Sequence, residues 1–325
     1  MSVVRAAVCP AYGPPEVVEV QDRPSQPLEP GQVRIRVGAA AVNFPDVLLV
    51  ANKYQISVPP PFVPGSEYAG LVTETAEDGG EIAVGVRVTG TGLVGAFAEE
   101  VVARAASLTK IPDGIDDRTA ASFGVAHRTA YHTLRSVARL RQGETLIVLG
   151  AGGGVGLAAV QLGVALGASV VAVASSPEKL AVAGKYGAEH LVDHRAGDLR
   201  GALKEAVPRG ADVVIDPVGG DLSEPALRAL GRGGRFVTVG YASGTIPQIP
   251  LNLVLVKGIR IMGFQFQDLD PDEYRRNERE LVDLLLAGRA IPHIGAGYSL
   301  DDTALALRHV ADGRAIGKIV IDIAP

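Results

Sequence analysis

The sequence predicts a two-domain α/β protein in which a β-rich domain accompanies a doubly wound parallel sheet. The chain has 325 residues, about twice the usual length of one domain. Glycine and proline interrupt its first third between short stretches of alternating polar and apolar residues, which is typical of antiparallel strands. From residue 117 onward, apolar strands alternate with helices, which indicates βαβ units and a parallel sheet.

The first third contains several predicted strands. In Gly31–Val42, aliphatic residues alternate with arginines, which is the period of a half-buried strand. Further strands are predicted at Glu67–Thr75, Val84–Thr89 and Glu99–Ala103. We expect these strands to form an irregular, mostly antiparallel barrel or sandwich.

The middle of the chain alternates helices with strands. Asp116 and Asp117 are suitable caps for a helix that runs through Arg118–Leu140. The elements predicted after it are the strand Leu146–Gly150, the helix Val155–Leu166, the strand Ser169–Ala174, the helix Pro177–Tyr186, and the strands Ala211–Asp216 and Gly234–Gly240. This order is typical of a parallel sheet with helices on its faces.

The alternation stops near residue 265. The last part of the chain has an amphipathic helix at Pro271–Ala287 and a final strand at Gly317–Ile323, and neither continues the βαβ pattern. We therefore predict that residues 124–264 form the nucleotide-binding domain, and that residues 1–123 and 265–325 together form the other domain.

A glycine cluster connects the first predicted parallel strand to its helix. The cluster contains Gly150, Gly153, Gly154, Val155 and Gly156. Glycine lets a backbone approach a pyrophosphate closely, and a helix N-terminus offers unpaired N–H groups to it. Because a strand precedes the cluster and a helix follows it, the sequence predicts a dinucleotide site here; a purely structural turn is the alternative.

The end of the second parallel strand selects between the two nicotinamide cofactors. NAD-binding proteins place an acidic residue there for the ribose 2′-hydroxyl, whereas this chain has Ser175, Ser176 and Lys179. Glu178 lies inside the following helix and is expected to point away. Hydroxyl groups and a lysine suit a 2′-phosphate, so NADPH is predicted over NADH, although Ser176 is equally suited to capping the helix.

Two later turns are expected to flank the cofactor, because ligands of open α/β sheets bind beyond the carboxyl ends of the strands. These turns contain Val218 and Gly240. Asp216 comes directly before the first of them and is also a common type of turn-forming residue.

Composition excludes several classes of function. Cys9 is the single cysteine and the net charge is −5, so neither a disulfide framework nor a basic surface for nucleic acid or anionic membranes is expected. The stretch Thr145–Pro177 lacks charge, but its glycines and polar residues favour a buried strand, turn and helix over a membrane span. With no recognisable signal peptide, a cytoplasmic protein is expected.

Five motifs in this order give the chain a resemblance to a known family: Val42–Asp46, Pro64–Gly70, Arg128–Tyr131, Gly153–Gly156 and Gly317–Val320. The chain resembles the zinc-independent quinone oxidoreductase, or ζ-crystallin-like, branch of the medium-chain dehydrogenase/reductase superfamily. The resemblance implies a GroES-like β-rich catalytic domain, a Rossmann domain and NADPH as cofactor. It also implies a homodimer, for which the apolar segment Ile259–Phe266 is a candidate pairing strand.

The resemblance also implies chemistry without a metal. The family's zinc-dependent relatives have a cysteine where Asn43 stands and a histidine where Ser66 stands. Without a Lewis acid, the chemistry left is hydride delivery to an acceptor that is already electrophilic. The implied reaction is the reduction of a quinone or an α,β-unsaturated carbonyl compound by NADPH.

The same resemblance assigns roles to individual residues. Asn43 and Asp46 are expected to line the nicotinamide end of the site. Tyr54 either donates a hydrogen bond to the acceptor oxygen or packs in the domain. The residues expected near the nicotinamide ring are Thr129, Phe264 and Gln265. His194 replaces a tyrosine that contacts the 2′-phosphate in many relatives.

Two other functions are compatible with the sequence. One is an NADPH-dependent reductase of enones or enoyl thioesters, which differs from a quinone reductase in its acceptor. The other is a non-catalytic NADPH-binding protein like some ζ-crystallin relatives. Oxidation of NADPH by a set of acceptors discriminates among the three.

Overall fold

The computed structural model describes residues 3–77 and 82–323. The strands are β1 Val3–Val8, β2 Glu19–Pro24, β3 Gln32–Val42, β4 Glu67–Thr75, β5 Arg87–Thr91, β6 Glu100–Arg104, β7 Thr109–Lys110, β8 Thr145–Leu149, β9 Ser169–Ala174, β10 His190–Asp193, β11 Ala211–Asp216, β12 Leu230–Thr238, β13 Arg260–Gly263, β14 Ile294–Ser299 and β15 Lys318–Asp322. The α-helices are α1 Phe44–Val50, α2 Asp117–Phe123, α3 Ala126–His132, α4 Gly154–Ala165, α5 Pro177–Lys185, α6 Leu199–Ala206, α7 Ser223–Ala229, α8 Leu251–Lys257, α9 Pro271–Leu286 and α10 Thr303–Ala311.

The chain divides into two compact units. The first consists of Met1–Val125 and Pro292–Pro325, and the second of Ala126–Ile291. The first division lies two residues beyond the predicted one at 123. The first unit is thus discontinuous in sequence, and the last strand returns to it.

The second division differs from the predicted one. It lies after residue 291, whereas the sequence placed it after 264 and assigned 265–325 to the β-rich domain. The reason is the packing of α9 on α3 inside the second unit. Glu278 of α9 pairs with Arg128 Nε at 2.6 Å and with His132 Nε2 at 2.9 Å, so α9 stays with the parallel sheet.

The first unit is built on a mostly antiparallel sheet, as predicted. Its strands follow the order β14-β15-β3-β4-β5-β7, and β6 also pairs with β3. β3 lies antiparallel to both β4 and β15, and β14 runs parallel to β15. Aliphatic side chains of β3, including Val33, Ile35 and Val37, are completely buried in the unit's core.

The second unit contains a six-stranded parallel sheet with the order β10-β9-β8-β11-β12-β13. Every neighbouring pair in it is parallel. The strand order reverses between β8 and β11, where the Rossmann fold binds its dinucleotide. The predicted combination of a β-rich domain with a doubly wound sheet is confirmed.

The charge-free stretch Thr145–Pro177 forms β8, α4 and β9 and the turns between them. Its strands are almost entirely buried in the second unit, which explains why the stretch lacks charged residues. Within the described ranges, no helix is both long and apolar enough to cross a membrane.

The helix predicted at Arg118–Leu140 is broken into pieces. α2 ends at Phe123, α3 begins at Ala126, and a π-helical turn covers Thr133–Val137. At the break, the Val125 backbone N–H leaves the helical pattern and donates to Glu67 Oε2 at 2.8 Å. A buried carboxylate thus competes with the helix for this donor, which the local sequence does not reveal.

Candidate cofactor and catalytic sites

The glycine turn after β8 forces a close approach of strand, turn and helix. Gly150 has φ 62°, a left-handed conformation that favours glycine. A side chain on Gly150 would also reach within 2.6 Å of Val218 Cγ2. A side chain on Gly156 would collide with the carbonyl oxygen of Gly150, so Gly156 is required for helix α4 to pack on the turn.

The surroundings of Gly153 differ from those of Gly150 and Gly156. It is the N-cap of α4 and has no side chain that could cap the helix. The backbone N–H groups of the first turn, which begins with Gly154 and Val155, therefore have no side-chain capping partner. A Cβ on Gly153 would meet nothing closer than Gly150 O at 3.5 Å, an ordinary contact. The space before this twelve-residue helix is therefore open to a phosphate group.

This contrast predicts different results for two alanine variants. Gly153→Ala is expected to fold normally and to weaken NADPH and NADH binding equally, by about tenfold or 1.4 kcal/mol, because its methyl group occupies the phosphate approach. Gly156→Ala is expected to lower the thermal midpoint instead. Fluorescence titration and thermal unfolding measure the two effects; unchanged cofactor affinity in Gly153→Ala would contradict the site.

The end of β9 carries the residues predicted for the 2′-phosphate. Lys179 Nζ donates to Ser175 Oγ at 3.4 Å, and the Lys179 side chain passes over Gly152. The Ser176 hydroxyl accepts from the Lys179 backbone N–H at 3.4 Å and caps α5. Ser176 therefore caps the helix, which was one of its two predicted roles. Ser175 and Lys179 lie within hydrogen-bond distance of each other.

Positive charges crowd at this end of the sheet. Burial and the neighbouring Arg195 lower the pKa of Lys179. Burial, Arg195 and, more weakly, Lys179 lower the pKa of His194, against the opposite effect of Asp193. Such mutual repulsion favours a dianionic ligand, which would relieve it.

Glu178 is exposed on the first turn of α5, and the expectation that it points away from a cofactor stays a prediction. A hydrogen bond from the Ser176 hydroxyl is the largest of the effects that lower the pKa of its carboxyl group. The dipole of the helix also favours an acidic residue in its first turn.

Asp216 acts as a turn-former. Its Oδ1 accepts the backbone N–H groups of Val218 and Gly219 at 2.8 Å each, and its Oδ2 accepts the Ser223 hydroxyl at 2.5 Å. Its carbonyl oxygen accepts the Gly240 N–H at 3.3 Å. The two predicted flanking turns are thus joined through one buried aspartate beside the glycine turn.

The residues predicted near the nicotinamide ring lie on other elements of the second unit. Thr129 lies in α3. Phe264 and Gln265 follow β13, and the Phe264 ring packs edge-on against Phe266 with centroids 4.7 Å apart. The cofactor roles of Thr129, Phe264 and Gln265 remain predictions.

In the first unit, Asn43 and Asp46 form the turn between β3 and α1. The Asn43 backbone N–H donates to Asp46 Oδ2 at 2.7 Å in a capping box. The Asn43 side-chain amide donates to Ser66 Oγ at 3.1 Å and to Glu67 Oε1 at 2.9 Å. Asn43 and Ser66 are therefore brought together, and Asn43 uses its amide hydrogens inside the protein.

Lys318 completes this cluster from β15. Its Nζ donates to Asn43 Oδ1 at 2.5 Å, Glu67 Oε1 at 2.7 Å and Val42 O at 3.2 Å. The exposed fractions of the Lys318 and Glu67 side chains are only 4% and 0%. No role was predicted for these two residues, although each is a charged residue at the start of an apolar strand, which is a signal that the sequence contains.

Asp46 is completely buried. Burial raises the pKa of its carboxyl group to about 7, which outweighs the lowering by the Asn43 N–H, the Ser66 hydroxyl and Lys318. Its Oδ1 accepts no hydrogen bond of normal geometry from the described residues, although the Ser66 hydroxyl lies near enough to affect the pKa. The Asp46 carboxyl group can therefore be protonated near neutral pH.

Tyr54 is half-buried and packs against the core of the first unit. None of the hydrogen bonds found among the described residues involves its hydroxyl group, unlike those of Tyr12, Tyr131 and Tyr298. The ring is therefore fixed by packing while its O–H group is available to a ligand. Its predicted role is untested.

Two family patterns match the chain. Residues 29–113 match the alcohol dehydrogenase GroES-like domain, and residues 154–286 match the zinc-binding dehydrogenase family. In the described part of the chain, no group of three or more His, Cys, Asp or Glu side chains is arranged to hold a metal ion.

Known proteins with similar sequences or structures cover nearly the whole chain. Quinone oxidoreductase-like protein 2 of Bos taurus is 35% identical over 98% of this chain and 92% of its own length. Polyketide synthase GfsB of Streptomyces halstedii is 37% identical over 92% of this chain, but that match covers 5% of GfsB. The structure of Escherichia coli quinone oxidoreductase complexed with NADPH is similar, with a TM-score of 0.87 and 26% identity, over 98% of this chain and 99% of that one. The chain is therefore an oxidoreductase that belongs to the quinone oxidoreductase family of the medium-chain dehydrogenase/reductase superfamily.

Proposed function

We propose that this protein reduces a quinone, or another activated carbonyl acceptor, with NADPH and without a metal. The observation that carries the proposal is the Lys318 ammonium group, which lies within hydrogen-bond distance of Asn43 and Glu67. Asn43 and Ser66 occupy the positions of two ligands in the zinc-dependent relatives. The similarity to a quinone oxidoreductase complexed with NADPH supports the cofactor.

The donor set of this cluster does not fit a zinc ion. Zinc in proteins binds thiolate, imidazole and carboxylate groups, whereas Asn43 and Ser66 offer a neutral amide and a hydroxyl. The carboxylate of Glu67 is already paired with a buried ammonium group. A divalent cation beside Lys318 would add strong repulsion in a site with little solvent.

The second unit supplies the residues that would hold NADPH. The open N-terminus of α4 suits the pyrophosphate, and Ser175, Lys179 and His194 suit the 2′-phosphate. When bound, NADPH supplies the hydride. In the first unit, the free hydroxyl of Tyr54 is proposed to donate a hydrogen bond to the acceptor oxygen as negative charge develops there.

The cofactor preference has a direct test in Lys179→Ala. We expect the intact protein to bind NADPH at least about tenfold more tightly than NADH. The variant should lose most of this preference while its affinity for NADH changes little, because only NADPH carries the 2′-phosphate. Lys185→Ala, at an exposed position of the same helix, is the matched control, and equal losses for both cofactors would refute the role of Lys179.

A panel of acceptors tests the reaction. NADPH oxidation is measured with quinones, simple enones and enoyl thioesters, before and after exhaustive chelation. Quinone turnover that survives chelation supports the proposal, whereas strict dependence on added zinc contradicts it. Selective turnover of enones or enoyl thioesters would favour the alternative, an NADPH-dependent reductase of such compounds. The similarity to a polyketide synthase supports this alternative. Tight NADPH binding without oxidation by any acceptor would favour the non-catalytic alternative.

A homodimer is proposed as the assembly. β13 is the edge strand of the parallel sheet, and Ile261 on it is 41% exposed. An apolar edge strand is protected when it pairs with another chain, and a two-fold pairing would extend the sheet across two copies. Light scattering at micromolar concentration that gives the mass of one chain would count against it.

A further inference from the structure

The buried lysine fixes the orientation of the Asn43 side chain. An ammonium group only donates hydrogen bonds, and an ionised carboxylate only accepts them. Asn43 Oδ1 must therefore face Lys318 Nζ, at 2.5 Å, while its amide nitrogen faces Glu67 Oε1, at 2.9 Å. Exchanging the oxygen and nitrogen would place like groups against each other on both sides.

This orientation determines the hydrogen bonding of Ser66. The Asn43 amide nitrogen also donates to Ser66 Oγ at 3.1 Å, so the serine oxygen accepts and its own hydrogen remains to be donated. Ser66 is 9% exposed and Asn43 8%, whereas Lys318 is 3% exposed and Asp46 and Glu67 are fully buried. Within this cluster, Ser66 is thus a hydroxyl donor whose hydrogen can go either to the neighbouring Asp46 carboxyl group, whose pKa it lowers, or to a ligand.

Asp46 is a fully buried carboxyl group next to the Ser66 hydroxyl. One carboxyl oxygen accepts the Asn43 backbone N–H, and the other accepts no normal hydrogen bond from the described residues. An unpaired oxygen in a fully buried site is costly when charged, which favours the protonated acid near neutral pH. The charged groups that affect Asp46 are Glu67, which favours protonation, and Lys318, which opposes it.

We infer that Ser66 is a catalytic proton donor, that Asp46 replenishes its proton, and that Lys318 acts through Asn43 as a positioning residue. This inference rests on the proposed reduction. After a hydride from NADPH has added to the acceptor, the Ser66 O–H bond breaks and the proton binds the acceptor oxygen. The Asp46 acid then returns a proton to the serine oxygen, and the carboxylate regains one from water. The acceptor gains one hydride and one proton, NADPH becomes NADP⁺, and both side chains return to their starting state.

Ser66→Ala tests the donor in the full-length protein, with a quinone or enone that the wild type reduces. We expect kcat to fall by about a hundredfold, the lower end of the effect of a general acid, with KM and NADPH affinity changed less than about twofold. Ser66→Thr keeps a hydroxyl group and is expected to restore most of kcat. Equal kcat values for the wild type and Ser66→Ala would overturn the inference, because water would then protonate the product directly.

The pH dependence separates proton supply from a structural role. The donor chain needs Asp46 in its acid form, so wild-type kcat should decline as pH rises through the carboxyl pKa of about 7. Asp46→Asn keeps an oxygen that can accept the Asn43 backbone N–H, but it holds no acidic proton. We expect low, pH-independent turnover in this region for both Asp46→Asn and Ser66→Ala. A decline that persists unchanged in Ser66→Ala would assign it to another group and overturn the relay.

Infrared spectroscopy tests the relay without relying on turnover. The wild type should show the C=O stretch of a protonated carboxyl group below pH 7, absent from Asp46→Asn and shifted in Ser66→Ala. Absence of this band in the wild type overturns the relay even if quinone reduction is confirmed. A normal band in a protein that binds NADPH but reduces no acceptor overturns the proposed function, and with it the catalytic role of Ser66, while leaving the hydrogen bonding intact.

Discussion

Lys318→Met is expected to lower the free energy of unfolding by about 3–5 kcal/mol, because it leaves the Glu67 carboxylate buried without its cation. Methionine retains much of the aliphatic volume of lysine, so the change removes charge and hydrogen bonds more than packing. Lys318 Nζ makes three hydrogen bonds in the structure, and all three are lost together. Denaturant unfolding monitored by circular dichroism measures the effect.

A double variant and a surface control identify the cause of that loss. Lys318→Met combined with Glu67→Gln removes both charges and is expected to recover much of the stability that either change alone removes. Arg308→Met breaks surface pairs with Glu16 and Asp312, in which all three side chains are partly exposed. Its cost should stay below about 1 kcal/mol. A loss in Lys318→Met no larger than in Arg308→Met would show that the buried pair contributes little.

Local patterns were sufficient to predict the parallel sheet and its glycine turn. The predicted strands Ser169–Ala174 and Ala211–Asp216 have the same bounds in the structure, because each contains a short run of β-branched and other apolar residues between turn residues. The close approach of Gly156 to Gly150 is also encoded within a few residues. Such features require only neighbouring residues and elementary backbone sterics.

The buried charged cluster could not be predicted in the same way. Glu67 and Lys318 are separated by 251 residues, and they meet because β4 and β15 lie on either side of β3. The break after α2 has the same origin, since Glu67 accepts the Val125 N–H. The position of α9 likewise depends on ion pairs between Glu278 and residues far away in sequence. These features are consequences of topology, which local periodicity does not contain.

Tyr54→Phe is expected to lower turnover by about tenfold to a thousandfold, since it removes one neutral hydrogen-bond donor from a developing oxyanion. Among the described residues the hydroxyl makes no hydrogen bond, and the ring packs against the core. Phenylalanine preserves that packing, so the thermal midpoint and NADPH affinity should change little. Steady-state kinetics with a quinone, together with cofactor titration, measure the separate effects.

Tyr12→Phe is the matched control, because it removes a hydroxyl that donates to a backbone carbonyl, Val58 O, at 2.9 Å on the protein surface. Its turnover should equal that of the wild type. If Tyr54 and Ser66 both act on the acceptor oxygen, the combined variant Tyr54→Phe/Ser66→Ala should lose less activity than the product of the two single losses. An unchanged rate in Tyr54→Phe would show that this tyrosine contributes only to packing. The proton donors left to distinguish would then be Ser66 in the first unit and water.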